Sequence, residues 1–201
     1  GDSMGFDLSG VNPKMNMKPE EFPVYHKHNK MEFRDRLHIL DKDEKLSNQY
    51  WKEYDEYQEA NPGIYFRNNV WWWRPLWQYV CEKFPDVITD EAAESGCSNS
   101  GHLVNEEQAM QIGLGLTAKI LDGSVKAYAD NYKTELDALE QVKCDLCDGT
   151  GKRTDMKVEN GCNGCDGTGK KDDWAKSYPF DEENVRYFAQ FCLESGGFTI
   201  S

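Results

Sequence analysis

No stretch of this chain approaches the roughly 18 consecutive apolar residues that a membrane-spanning helix needs, and no charged-then-apolar leader opens it. Neither a membrane span nor a secretory signal is therefore expected, and Gly1-Asp2-Ser3 ahead of Met4 reads as an expression scar. Basic charge is scarce: 23 Lys and Arg stand against 36 Asp and Glu, a formal net charge of −13. So acidic a chain is not expected to hold duplex DNA or anionic membranes non-specifically, because both need a basic face. The catalytic signatures GxSxG, HExxH, the P-loop and GxGxxG are all absent, and Gly113-Leu114-Gly115 falls inside a helical stripe rather than a phosphate loop. Apolar residues make up only 38% of the 201 positions. Large rings compensate. Six Trp, ten Tyr and nine Phe can build one sound core, with room for a small satellite module, from few positions, so disorder is not expected despite the acidity.

Cysteine is where the pattern is most specific. Four of seven cysteines form two CxxC pairs, Cys144/Cys147 and Cys162/Cys165, while Cys81, Cys97 and Cys192 are scattered. An odd count argues against a secreted disulfide framework and for a reducing compartment. The pairs head a repeat, Cys144 to Arg153 and Cys162 to Lys171, in which seven of ten positions match. Each CxxC sets two thiolates on one tight turn, and two such turns complete a tetrahedral zinc shell. Gly149, Gly151, Gly167 and Gly169 let the chain fold back so that backbone N–H groups can face the sulfurs. Four thiolates and one Zn²⁺ leave a charge of about −2, which Lys152, Arg153, Lys170 and Lys171 are placed to offset. A redox dithiol would need a single CxxC and no duplicate. The expected cofactor is one structural zinc ion on Cys144, Cys147, Cys162 and Cys165.

The CxxCxGxG repeat of residues 144–171 resembles half of the cysteine-rich zinc module of DnaJ-type co-chaperones. That module has four repeats and two zinc ions, so the resemblance implies one zinc here. None of His26, His28, His38 or His102 is followed by Pro-Asp, so the J-domain signature and its stimulating activity do not carry over. More of the chain resembles a family of phage and prophage proteins, through Met4-Gly-Phe-Asp-Leu8, Tyr65-Phe-Arg-Asn-Asn-Val-Trp-Trp-Trp-Arg-Pro-Leu-Trp77 and Tyr178-Pro-Phe180. This second resemblance implies a viral origin, with the cytoplasm of the infected or lysogenic cell as location. It transfers no activity.

The expected fold is mainly α: a helical body over 4–143 and 172–201, carrying an inserted zinc-binding β-hairpin or knuckle at 144–171. Residues 4–31, with Asn12-Pro13, Pro19 and Pro23, read as an extended arm laid over the body. Leu46, Tyr50, Tyr54 and Tyr57 recur at helical spacing until Asn61-Pro62-Gly63 stops them. Asn105 with Gln108 forms a capping box ahead of the stripe Ala109, Ile112, Leu116 and Ile120. Ser124 is expected to cap the next helix, with Val125, Tyr128, Tyr132, Leu136 and Leu139 as its stripe. Asp181 caps a last helix, with Val185, Phe188, Ala189 and Cys192 inward, ended by Gly196-Gly197. Strand signals outside the metal hairpin are sparse.

The aromatic segment 64–84 is the main functional lead. Asn68 or Asn69 can cap a helix there, since Pro75 is tolerated only in early turns. At about 100° per residue the three successive tryptophans cannot share a face. Trp73, Leu76, Trp77, Val80 and Phe84 fall on a core side, whereas Trp71 falls with Arg74, Gln78 and Glu82 on the polar side. One reading packs Trp71 beneath the arm or a neighbouring helix. A second makes Arg67, Asn68, Asn69, Trp71 and Arg74 a ligand site, with the indole stacking a base and arginine holding a phosphate at the helix N-terminus. A third makes the indole part of a protein-binding patch. Weaker constellations are His26/His28 as a second metal site and Cys97/His102 as a nucleophile and base.

Together these residues point to a zinc-stabilised, non-enzymatic binding protein that engages a host protein or sequesters a nucleotide-like signal. The alternatives are a hydrolase acting on a small phosphorylated substrate and a chaperone-like binder.

Overall fold

The computed structural model describes residues 4–153 and 161–201; residues 1–3 and the centre of the cysteine insertion, 154–160, lie outside the described residues. Helices dominate, with eight α-helices among the described residues. No helix among them is long and apolar enough to cross a membrane.

The N-terminal arm departs most from expectation. It opens with strand β1 (Gly5–Gly10), continues through a 3-10 turn (Pro19–Glu21) and enters helix α1 (Pro23–Asn29). β1 lies inside a four-stranded antiparallel sheet of order β2-β1-β6-β3, with β2 Tyr65–Asn69, β3 His102–Val104 and β6 Phe198–Ile200. The two outer faces of β1 follow its alternation: Phe6 and Leu8 are buried, whereas Asp7 and Ser9 are not. Ile200 and Phe198 continue the buried face. Strands of three to six residues offer too few alternations to register in sequence, but pairing within the sheet and a helical cover stabilise each one.

That cover comes from α4 (Val70–Lys83), α6 (Glu106–Leu121) and α8 (Glu182–Glu194). Trp73 stacks on Phe6 at 5.7 Å and on Trp77 at 5.3 Å. Both indoles are essentially dry and both find an acceptor, Trp73 Nε1–H donating to Gly96 O at 2.8 Å and Trp77 Nε1–H to Ala93 O at 2.9 Å. Each ring therefore buries its large apolar area without leaving a polar atom orphaned. Phe84, expected in the core, is only half-buried and packs at its margin. Ile112, Leu116, Val185, Phe188 and Cys192 are buried as their helical spacing requires.

Helix ends follow their caps. Asn105 and Gln108 form the capping box of α6, and Asp181 caps α8 through Asn184 N. α7 (Ser124–Asp137) differs, because Gly123 in the left-handed region occupies the cap position and Ser124 is the first helical residue. Its hydroxyl donates instead to Lys119 O and Asp122 Oδ1.

A second, smaller nucleus lies apart from the sheet. α2 (Phe33–Lys42) and α3 (Glu44–Ala60) join α1 around Phe22, Tyr25, Leu40, Tyr50 and Tyr57. The buried Glu53 carboxylate accepts from Tyr25 N at 2.7 Å and from Gln49 Nε2 at 3.0 Å, so one helix supplies the acceptor for the free N–H of another. Asn61, fully buried at the end of α3, ties this nucleus to the arm. Its Oδ1 accepts from Asn16 N at 2.7 Å and Met17 N at 3.0 Å, while Nδ2 donates to Met17 O and Tyr57 O. Replacing it by alanine would strip the part-buried Asn16 N–H, Met17 N–H and Met17 carbonyl of this partner at once. Asn61→Ala is expected to lower the unfolding free energy by about 2–4 kcal/mol in urea denaturation; a loss under about 0.5 kcal/mol, the scale of ordinary surface changes, would contradict the clasp.

Candidate metal centre and the adjoining groove

The two CxxC repeats fold as copies of one turn. In the first, Gly149 N donates to Cys144 O at 2.9 Å, Thr150 N to Cys147 O at 3.1 Å and Gly151 N to Cys147 Sγ at 3.3 Å. In the second, Gly167 N, Thr168 N and Gly169 N make the same bonds to Cys162 O, Cys165 O and Cys165 Sγ, at 2.9, 3.1 and 3.2 Å. Each threonine hydroxyl donates to the carbonyl of the preceding cysteine at 2.7 Å. The turns then close on one another reciprocally: Cys144 N donates to Gly169 O at 2.9 Å and Cys162 N to Gly151 O at 2.7 Å.

This closure requires glycine. Gly151 and Gly169 hold φ of +74° and +76°, and a Cβ on either would stand 2.4 Å from a carbonyl oxygen of the opposite repeat. Strand β4 (Val142–Lys143) pairs antiparallel with β5 (Lys170–Lys171) and brings the two ends of the insertion together.

The consequence is a cage. The four Sγ atoms lie within 4.8 Å of one another, and Cys147 Sγ is 3.8 Å from Cys165 Sγ. Four sulfurs at about 2.3 Å from a tetrahedral ion are separated by about 3.8 Å, so the donor set fits a single ion. Among the described residues it is the only group of three or more His, Cys, Asp or Glu side chains placed to hold a metal. All four cysteines are buried and unbridged, and they alone form the buried cluster of this lobe. Burial works against ionisation of Cys147, but the Gly151 N–H and the neighbouring sulfurs outweigh it and bring the thiol down to about 6. Burial likewise opposes ionisation of Cys165, and the Gly169 N–H overcomes it. Burial pushes Cys162 up to about 11. Around the cage, Lys171 Nζ pairs with Asp145 at 3.3 Å and Lys143 Nζ with Asp148 at 2.5 Å, while Arg153 donates to Asn163 Oδ1 at 3.0 Å. Four protein ligands leave no open coordination position, which is the arrangement of a structural rather than a catalytic ion.

The five residues of the aromatic segment are divided. Arg67 lies on β2 opposite Asp7, whose carboxylate it meets at 3.5 Å and which also accepts from Tyr65 Oη. Asn68 exchanges two amide hydrogen bonds with Asn184, at 3.0 and 2.9 Å. Asn69 is the cap of α4, accepting from Trp72 N at 3.1 Å. Only Trp71 and Arg74 converge, and they do so on Tyr178: the Trp71 ring packs 4.8 Å from it and Arg74 Nη1 donates to its hydroxyl at 3.2 Å. Trp71 remains 38% exposed.

Tyr178 follows a 3-10 turn (Trp174–Ser177) that begins just beyond β5, where the chain returns from the cysteine lobe. Trp174, 68% exposed, meets Tyr178 edge-on at 5.3 Å. Arg74, Gln78, Tyr132, Leu136, Trp174 and Tyr178 are among the residues lining a groove of about 380 Å³ between α4, α7 and this turn, and no carboxylate lines it. Tyr132 Oη donates to Tyr178 O at 2.7 Å, fixing the groove floor to α7. Trp174, Tyr178, Tyr132, Leu136 and Gln78 were outside the predicted site. The available signal was a tryptophan in a polar turn directly after the second repeat.

The histidine pair does not sit on an extended arm. Both lie on α1, where a separation of two residues turns them to different sides. His28 is buried with Nδ1–H donating to Val24 O at 2.7 Å, and His26 stands 4.0 Å from Glu20. Cys97 is exposed beyond α5 (Asp90–Ser95), and His102 begins β3. No known family, curated protein or solved structure matches the chain.

Metal analysis of freshly purified protein is expected to find about one divalent ion per chain, lost in Cys144→Ser. Gly151→Ala should weaken metal binding at least about tenfold, since it combines a left-handed alanine with a backbone clash. Gly149→Ala carries the same left-handed strain, at φ +79°, but meets only the flexible Lys143 side chain and should weaken it less. Equal affinities in the two variants, measured by chelator competition, would contradict the interlocked turns.

Proposed function

We propose that this is a zinc-stapled, non-enzymatic binding protein of viral origin, acting in the reducing interior of an infected cell. There it engages a component of the host at the groove between its helical body and its cysteine lobe. Zinc is the ion best suited to four thiolates in a closed tetrahedron, and cytosolic thiols stay reduced and available to it. The viral origin rests on the likeness of Met4–Leu8 and Tyr65–Trp77 to phage proteins.

The observation that carries the reading is the junction of lobe and groove. The turn bearing Trp174 starts three residues after the β4–β5 ladder, which is two residue pairs long. So short a ladder does not persist in water unaided, so an ion in the cage would hold the lobe closed and steady the start of the Trp174 turn, whose far end Tyr132 and Arg74 tether through Tyr178. A structural ion positioned this way serves recognition, and a cage without an open position offers no metal chemistry to a substrate.

Two measurements test this. Amide exchange across Trp174–Tyr178 should rise about tenfold or more on chelation of the ion, with the four-stranded sheet unchanged; equal protection with and without metal would sever the lobe from the groove. A ligand recovered from metal-loaded protein should keep its mass after prolonged incubation. Steady accumulation of a product would instead establish an enzyme.

A further inference from the structure

We infer that the groove between α4, α7 and the Trp174 turn binds a nucleoside monophosphate, or a ligand of that chemical class: one flat heteroaromatic ring carrying one anionic group. The inference rests on the binding-protein reading above and names the ligand of that same site.

The lining supplies what such a molecule needs and little else. Trp174 presents the most exposed indole of the chain, backed by Tyr178, which is itself backed by Trp71. Trp174 meets Tyr178 edge-on and Tyr178 meets Trp71 at a tilt, so the exposed indole can offer its face to a planar base with little loss of side-chain freedom. Arg74 is the only cation lining the groove. Its bond to Tyr178 Oη uses one N–H of the guanidinium, and among the described residues no carboxylate pairs with the rest. In a chain with 36 acidic residues, a guanidinium without an acid partner is kept available for an anion from outside, and a phosphate accepts from it bidentately. Gln78, also on the lining and without a hydrogen-bond partner among the described residues, adds an amide able to donate and accept at a base edge.

Size and charge set the upper limit. About 380 Å³ falls at the small end of ligand pockets. A single arginine neutralises one group, and a net charge of −13 repels a polyanion. A mononucleotide satisfies both limits; a single strand of nucleic acid satisfies neither.

The test uses the full metal-loaded chain, with calorimetry and tryptophan fluorescence against adenosine monophosphate, cytidine monophosphate, adenosine, inorganic phosphate and a short oligonucleotide. A monophosphate is expected to bind saturably and to quench emission, more tightly than adenosine or phosphate alone. Trp174→Ala should weaken it about tenfold or more. Arg74→Gln should reduce it to the affinity of adenosine, with Arg74→Lys between the two. Trp51→Ala, an exposed indole on the other nucleus, should change nothing. Circular dichroism and metal content keep loss of fold distinct from loss of binding. The inference is overturned if no monophosphate binds the folded, metal-loaded protein, if adenosine binds as tightly as its monophosphate, or if the oligonucleotide outcompetes both. In those cases the stapled binding-protein reading still stands. Hydrolysis of a bound nucleotide would overturn that reading and leave the site.

Discussion

Among the described residues, the cysteine lobe closes around four clustered sulfurs and the hydrogen bonds that run between its two turns. The body buries a core of rings and aliphatic side chains, whereas the buried side-chain cluster among the described residues of the cysteine lobe consists of Cys144, Cys147, Cys162 and Cys165. So small a segment cannot collect enough apolar area to offset its conformational entropy, and an ion bound by the four thiolates would supply the missing free energy. The backbone is arranged for that purpose. Each repeat aims an amide at its own second sulfur and lends a carbonyl to the first cysteine of the other, so neither turn is complete alone. The duplication visible in the sequence is thus a physical requirement: one CxxC turn supplies half the ligands and half of the hydrogen bonds that close the cage.

The body solves a different problem, a modest apolar share, by using area per residue. Trp73, Trp77, Phe188, Phe191 and Phe198 sit within one ring-packed layer between sheet and helices. Indoles carry a donor that must be satisfied, and both buried ones reach carbonyls around α5, which explains why that short helix and its turn pack on α4. The sheet contributes the opposite wall. Its two central strands come from the two ends of the described chain, β1 and β6. The long-range closure of the fold therefore depends on residues that look unstructured in isolation.

What could be read from the sequence follows from this division. Helices α3, α6 and α8 announced themselves because each is long enough to repeat its apolar stripe and bears a side-chain cap, and the cysteine cage because its spacing has one chemical meaning. The strands could not be read. Phe6 and Leu8 are only two buried positions, and Phe198 and Ile200 two more, so their alternation carries no statistical weight until paired. α1 was obscured by its prolines, although Pro23 stands in its first turn, where proline is compatible. At the aromatic segment the angular argument placed Trp71 and Arg74 on one face, and there they are, meeting Tyr178. Arg67, Asn68 and Asn69 were grouped with them by nearness in sequence, but alternation along β2 and the demand for a helix cap engage them elsewhere. Trp174 could not be assigned a place, because it depends on where the chain re-enters the body after the metal lobe.

Acidity, which first excluded partners, also sharpens what remains. A strongly negative surface slows the approach of every anion, and more steeply as the anion's charge grows. A groove with one uncompensated guanidinium and three neighbouring rings then favours ligands whose binding comes mostly from a flat face and only secondarily from charge. Long-range repulsion rejects polymers, whereas the short-range contacts at Arg74 act only on a molecule small enough to enter. On the proposed reading, the same negative field that opposes a polyanion leaves a single charged ring as the anion the groove would most readily hold.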